Sequence, residues 1–126
     1  DYTLVYQLAP WCTPCVKEFK KDFKMLDSIS KASKKVKVLV VNNSYGFVNS
    51  IEKLYKSLNY AEPIYVLSNP VYGDQIESKV NKFVKEFCND CLPSTNGGIF
   101  LLNGDAKVLA YFLKINDRSE MLSFIK

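Results

Sequence analysis

Ala9-Pro10-Trp11-Cys12-Thr13-Pro14-Cys15-Val16 closes one apolar run and opens a charged, periodic one. Two cysteines with two residues between them can be a redox couple, half of a zinc site or a structural bridge. What flanks them separates these meanings. Before them, residues 3–9 (TLVYQLA) are rich in β-formers and read as a buried central strand. After them, Val16, Phe19, Phe23, Leu26 and Ile29 recur at three- and four-residue steps, the apolar stripe of a helix over 12–30. The pair therefore sits on a strand-to-helix junction. Cys12 falls at the helix N-terminus, where unpaired N–H groups and the macrodipole stabilise a thiolate. Such positions lower a thiol pKa from about 8.5 to roughly 3.5–7.5. Cys15 lies one turn further in, within reach of Cys12. Pro14 suits a first turn, because the N–H it lacks would have no partner there. The geometry supplies an attacking thiol, a resolving thiol and a rigid turn between them, and the redox reading leads.

The rest of the chain extends the pattern. Residues 36–42 (VKVLVVN) form a second, nearly all-apolar strand, and Phe47, Ile51, Leu54, Tyr55 and Leu58 mark a second helix. Residues 63–67 (PIYVL) read as a short third strand closed by Ser68-Asn69-Pro70. Ile76, Val80, Phe83, Val84 and Phe87 give a third helix ending near Cys88. Residues 99–102 and 108–113 flank Asn103-Gly104-Asp105-Ala106-Lys107 as an antiparallel hairpin. Asp117 and Glu120 have the spacing of a helix start, followed by inward-facing Met121, Leu122, Phe124 and Ile125. Strands alternating with helices imply parallel crossovers, and the hairpin adds antiparallel strands. The expectation is a single α/β domain over 1–126, with a mixed central sheet flanked by helices. Leu4, Val5, Phe19, Phe23, Val38, Val40, Phe83 and Leu101 are assigned to its core.

Composition narrows the function classes. The net charge of +4 is carried by lysines spread over helical segments, with no basic patch interleaved with aromatics, so nucleic-acid binding is not expected. The chain has no histidine, which removes the commonest general base and the commonest metal ligand. No apolar run approaches the roughly 20 residues that span a bilayer. The chain begins at Asp1 and runs directly into a strand, as a mature form shorn of a signal or lipid anchor would.

The strand, Ala9-Pro10-Trp11-Cys12-Thr13-Pro14-Cys15 and the helix together resemble the active site of the thioredoxin superfamily, with tryptophan before the first cysteine and proline before the second. The Ala-Pro-Trp-Cys portion also resembles the disulfide-isomerase version. The element order extends the likeness over almost the whole chain. The strand–helix unit over 63–87 sits where a minimal thioredoxin core has none, and this βα insertion before the C-terminal β-hairpin and helix looks like the TlpA/DsbE-like branch. That resemblance implies a thioredoxin fold, extracytoplasmic (periplasmic or membrane-anchored) thiol-disulfide exchange, protein thiols and disulfides as substrates, and an upstream thiol electron donor. It implies no cofactor, and a monomer whose membrane anchor, if it has one, lies outside this chain. It places Cys12 and Cys15 in catalysis and Trp11, Thr13 and Pro14 beside the substrate.

Departures from the pattern set further expectations. Thioredoxins keep a buried aspartate six residues before the first cysteine, and this chain has Tyr6 there. That carboxylate's help in deprotonating the resolving thiol is thus unassigned; Glu86 and Asp90 are alternatives to it, read more simply as surface charges. The Thr13-Pro14 dipeptide lacks the histidine of strongly oxidising sites, which tilts the expectation towards a reductant. The family's cis-proline faces the active-site disulfide just before the hairpin. Pro93 is its candidate here, although ten residues separate it from Asn103; otherwise Gly97 takes its place. Cys88 and Cys91 form either a local stabilising disulfide or a second exchange-active couple. A zinc site joining all four cysteines is the weakest alternative, because 72 residues separate Cys15 from Cys88. The class-distinct rival to an enzyme is a redox-inert binding module on the same fold.

Overall fold

The computed structural model describes residues 1–44, 48–59, 63–112 and 123. Its elements run β1 (Tyr2–Leu8), α1 (Thr13–Ala32), β2 (Val36–Asn42), α2 (Val48–Ser57), β3 (Ile64–Val66), α3 (Asn69–Tyr72), α4 (Ile76–Lys85), β4 (Gly97–Leu102) and β5 (Val108–Phe112). The five strands make one mixed sheet in the order β3-β2-β1-β4-β5. β1 pairs in parallel with β2, from Tyr2 opposite Val36 to Leu8 opposite Asn42, and β2 pairs in parallel with β3. β4 is antiparallel to β1 and to β5.

Handedness distributes the helices. The chain steps from β1 to β2 to β3 in one direction, so right-handed crossovers put α1 and α2 on the same face of the sheet. It returns over the other face through α3 and α4 and sets β4 on the free side of β1. Side chains alternate across the sheet into two cores to match. Leu4, Tyr6 and Leu8 pack with Phe19, Leu26, Ile51 and Tyr55 on the first face. Val5 packs with Val80, Val84, Phe87 and Phe100 on the second. Phe19 sits between Tyr6 and Tyr55, with ring centroids 5.4 and 5.5 Å away. Phe83, Phe87, Phe100 and Tyr111 form a chain of ring contacts on the opposite face.

The expected elements are present where they are described, with instructive differences. α1 starts at Thr13 with Cys12 as its N-cap, as the thiolate argument requires. A short helix, α3, follows β3: the Ser68 hydroxyl accepts from the Val71 N–H, and Pro70 fits the first turn, so a stretch read as a strand ending is also a helix start. α4 stops at Lys85, and Phe87 and Cys88 continue as a hydrogen-bonded turn on Val84. Phe23 and Phe83 are half-buried and not at the centre of either core. In the hairpin, Asn103 Oδ1 accepts from the N–H groups of Asp105 and Lys107 at 2.9 and 3.1 Å, which closes the β4–β5 turn. The expected C-terminal helix, together with Phe47 and Leu113, lies outside the described residues. No described helix is long and apolar enough to cross a membrane.

Phe19 is fully buried and touches both sheet and α2. Phe19→Ala is expected to lower unfolding stability by about 3–5 kcal/mol, read as a shifted urea midpoint with both cysteine pairs kept oxidised.

Candidate active site

β1 delivers the site. Its last residues are buried on both faces, and Ala9 O accepts from Cys12 N–H at 3.1 Å, turning the chain sharply into α1. Cys12 is extended (φ −100°), and its sulfur accepts from the Cys15 N–H at 3.3 Å. A sulfur therefore takes the capping place usually held by a Ser, Thr or Asp oxygen. Cys12 and Cys15 are disulfide-bonded with their Cα atoms 5.2 Å apart, and both are half-buried. On reduction, the N–H beside Cys12 favours its thiolate, whereas Cys15 Sγ lies 3.0 Å from the Asn96 carbonyl oxygen, an acceptor that holds a thiol proton. The two sulfurs are thereby made unequal. Thr13 and Pro14 are exposed beside them.

The loop before β4 meets this disulfide, but not at Pro93. The register sets Gly97 opposite Leu8, so the segment at Cys15 is Asn96-Gly97, three to four residues after Pro93. The expected cis peptide is also absent: no cis bond occurs among the described residues, so Leu92–Pro93 is trans. The correction has a steric basis. Gly97 adopts φ +125°, and a Cβ there would lie 2.9 Å from the Gln7 carbonyl oxygen, so a glycine lets this loop press against the end of β1. The alternative, Gly97 in the proline's place, fits the register.

Side-chain amides latch the same loop to the sheet. Gln7 Nε2 donates to Ser94 O at 2.9 Å, and Asn43 Nδ2 donates to Thr95 O at 2.9 Å. Asn43 Oδ1 in turn accepts from the Trp11 indole N–H at 3.1 Å. Trp11 is half-buried and held by a hydrogen bond at the rim. The sequence reading missed Asn43 and Gln7. Their signal is a polar residue at the buried end of a strand: Gln7 next to last in β1, and Asn43 directly after β2.

Tyr6, in the place of the family's buried aspartate, does not leave the site without a carboxylate. Its hydroxyl donates to Asp22 Oδ2 at 3.0 Å, and Asp22 is buried on α1. Burial first, then the Asp22 charge, push the Tyr6 hydroxyl far above its ordinary range, so it stays a donor. Tyr6, Asp22, Glu18 and Cys15 line one cleft of about 260 Å³. The signal for Asp22 is a charge on the stripe running from Phe19 to Leu26. Glu86 and Asp90 are exposed and stand elsewhere: Glu86 accepts from the Tyr72 hydroxyl at 2.8 Å, and Asp90 lies beside Cys88.

Cys88 and Cys91 are disulfide-bonded with Cα atoms 5.6 Å apart. Phe87 O accepts from Val108 N, and Val108 pairs with Leu102, which lies opposite Thr3. The second pair therefore sits at the far end of the sheet, five residues along β4 from Gly97, or roughly 16 Å at strand rise. The four cysteines are not gathered into one site, and among the described residues no cluster of three metal-ligating side chains occurs.

The fold and this junction define a class: a thioredoxin fold with a Cys-X-X-Cys disulfide heading its first helix. Neither protein-family models nor curated protein sequences match the chain. Solved structures do. StoA from Bacillus subtilis is 22% identical with a TM-score of 0.60, over 95% of this chain and 81% of that one. A thiol-disulfide oxidoreductase from Bacteroides fragilis is 17% identical with a TM-score of 0.67, over 99% and 81%. A putative thioredoxin from Neisseria meningitidis is 18% identical with a TM-score of 0.64, over 99% and 72%. At these identities the likeness is one of fold, and its coverage takes in the β3–α4 unit as well as the minimal core.

Asn43→Ala is expected to free the indole of Trp11, the only tryptophan, and red-shift its emission. It should also cost about 1–3 kcal/mol, through the Trp11 N–H and Thr95 carbonyl left without a partner. Unchanged emission would show that the latch does not hold Trp11.

Proposed function

We propose that the protein is a thiol-disulfide oxidoreductase that reduces protein disulfides through Cys12 and Cys15. The observation that carries this reading is the inequality of the two sulfurs: one caps a helix beneath an N–H, and the other faces a carbonyl. The Cys12 thiolate attacks a substrate disulfide, forming a mixed disulfide and expelling one substrate sulfur as a thiolate. Cys15 then gives up its proton and attacks Cys12 Sγ. The second substrate sulfur leaves as a thiolate, and Cys12–Cys15 closes. Two electrons have passed to the substrate, so an upstream thiol donor has to return two for each turnover. The cycle needs no cofactor. Trp11 supplies the rim on which an extended segment lies, and Thr13 and Pro14 tune the redox poise. Asn96-Gly97, and not the residues before Pro93, lines the substrate's path beside Cys15.

Two features support the finer parts of the reading. A second disulfide, distant from the first, suits a brace for the loop between α4 and β4 in an oxidising, extracytoplasmic compartment better than an electron partner for Cys12. The Thr13-Pro14 dipeptide, with no histidine to stabilise a reduced thiolate further, favours a reductant over an oxidase or isomerase.

Reduction of insulin or a fluorescent disulfide peptide tests the function. Wild type is expected to turn over, Cys12→Ser to lose all turnover, and Cys15→Ser to accumulate the mixed disulfide. No turnover by wild type leaves a redox-inert binding module, and turnover undiminished in Cys12→Ser removes Cys12 from the chemistry. The reduction potential of Cys12–Cys15 tests direction: a value near −270 mV fits a reductase, and one near −120 mV an oxidant.

A further inference from the structure

Two asparagine–glycine pairs occur in the chain, Asn96-Gly97 beside the disulfide and Asn103-Gly104 in the hairpin turn. Such a pair can modify itself: the glycine nitrogen, unshielded by a Cβ, attacks the asparagine side-chain carbonyl carbon once its proton has gone to solvent base. The structure sets the two pairs apart. Asn103 Oδ1 accepts from the N–H groups of Asp105 and Lys107 at 2.9 and 3.1 Å, so its side chain turns towards Gly104 only by breaking both bonds. Asn96 is exposed, and both of its hydrogen bonds are made by its backbone. Its N–H donates to the Ser94 hydroxyl at 3.1 Å, and its carbonyl oxygen faces Cys15 Sγ at 3.0 Å. The Gly97 N–H donates to Ser94 O at 3.3 Å, beyond the roughly 2.7–3.2 Å of a firm N–H···O bond. At Asn96 the side chain is unpinned and the attacking nitrogen is loosely held.

We propose that Asn96-Gly97 is a self-modification site whose isoaspartyl product sets a carboxylate against Cys15. Gly97 N bonds to Asn96 Cγ, and the side-chain nitrogen leaves as ammonia, closing a succinimide. Water then opens this ring at one of its two carbonyl carbons. Attack at Cγ breaks the new bond to Gly97 N and leaves an ordinary aspartate. Attack at the main-chain carbon breaks the original peptide bond instead. The chain then runs through Cγ, and the former main-chain carbonyl becomes a carboxylate. One water enters and one ammonia leaves, with no oxidant or reductant. The second opening matters because the oxygen it converts is the one facing Cys15. Thr95 is held by Asn43 and Gly97 is paired opposite Leu8, so the extra backbone carbon is taken up at residue 96. A carboxylate there opposes the Cys15 thiolate and holds the thiol proton more tightly than the carbonyl does. On the oxidoreductase reading, the step it slows is the attack of Cys15 on the mixed disulfide.

The wild-type protein is aged at neutral and at mildly alkaline pH, mapped by peptide mass spectrometry, and assayed for isoaspartate with an isoaspartyl methyltransferase. Conversion at Asn96 is expected to outrun that at Asn103 by about tenfold, the factor set by the hydrogen bonds Asn103 has to break, and to quicken as pH rises. Conversion at Asn103 as fast as at Asn96, or at neither, would overturn the site. The carboxylate is read separately in Cys12→Ser, where a serine oxygen keeps the helix cap. Alkylation of Cys15 is followed against pH in fresh and aged samples. Its midpoint is expected about one pH unit higher in the isoaspartyl fraction. Ageing should leave the midpoint unmoved when Asn96→Gln is added, because the longer side chain closes its ring far more slowly. Asn96→Asp carries only the ordinary product and should shift the midpoint less. An unmoved midpoint in the isoaspartyl fraction, or an equal shift in Asn96→Asp, would overturn the link between the main-chain oxygen and Cys15. Neither arm needs a substrate to be reduced, so failure of the oxidoreductase reading leaves both results intact.

Discussion

Strand β1 has a hydrogen-bonded neighbour on each side and an apolar core against each face, and that enclosure organises the molecule. A segment buried on both faces has no water for its polar groups, so its backbone must be paired along its length. β2 and β4 do this, one parallel and one antiparallel. Their registers bring the N-terminus of α1, the end of β2 and the start of β4 to the same edge. The disulfide is placed there because that is where the enclosed strand has to emerge.

The unlike surroundings of the two sulfurs follow from the same edge. A helix beginning directly after a buried strand presents N–H groups with few acceptors nearby, and Cys12 supplies one. A strand arriving antiparallel presents a carbonyl before its first ladder bond, and Cys15 meets it at Asn96. Neither surrounding depends on an ionisable partner, so a chain without histidine still sets its two sulfurs in unlike environments.

Much of this was legible in the sequence, for reasons that can be named. The apolar stripe from Val16 to Ile29 and the unbroken run from Val38 to Val41 announce α1 and β2, because burial selects residue types at a fixed period. The spacing of Cys12 and Cys15 is local and survives translation into geometry. The polar fittings were not legible, since each depends on contacts distant in sequence: Gln7 with Ser94, Asn43 with Thr95, Tyr6 with Asp22. The placement of Pro93 failed for a related reason. A proline motif was matched by type, whereas the position at the disulfide is decided by strand register, which delivers Gly97. Asp22 reads as an error in an apolar stripe until Tyr6 is seen opposite it.

The amide latches carry a mechanical consequence. The loop from Ser94 to Asn96 has no regular secondary structure, yet it is fastened to β1 by Gln7 and to β2 by Asn43, with Trp11 on the same fastening. Its freedom was therefore surrendered during folding and not at the moment of encounter, so a partner chain laid along it meets a finished surface and forfeits only its own entropy. A short loop pinned to two strands behaves as part of the sheet: this edge of the molecule is an anvil and not a hand.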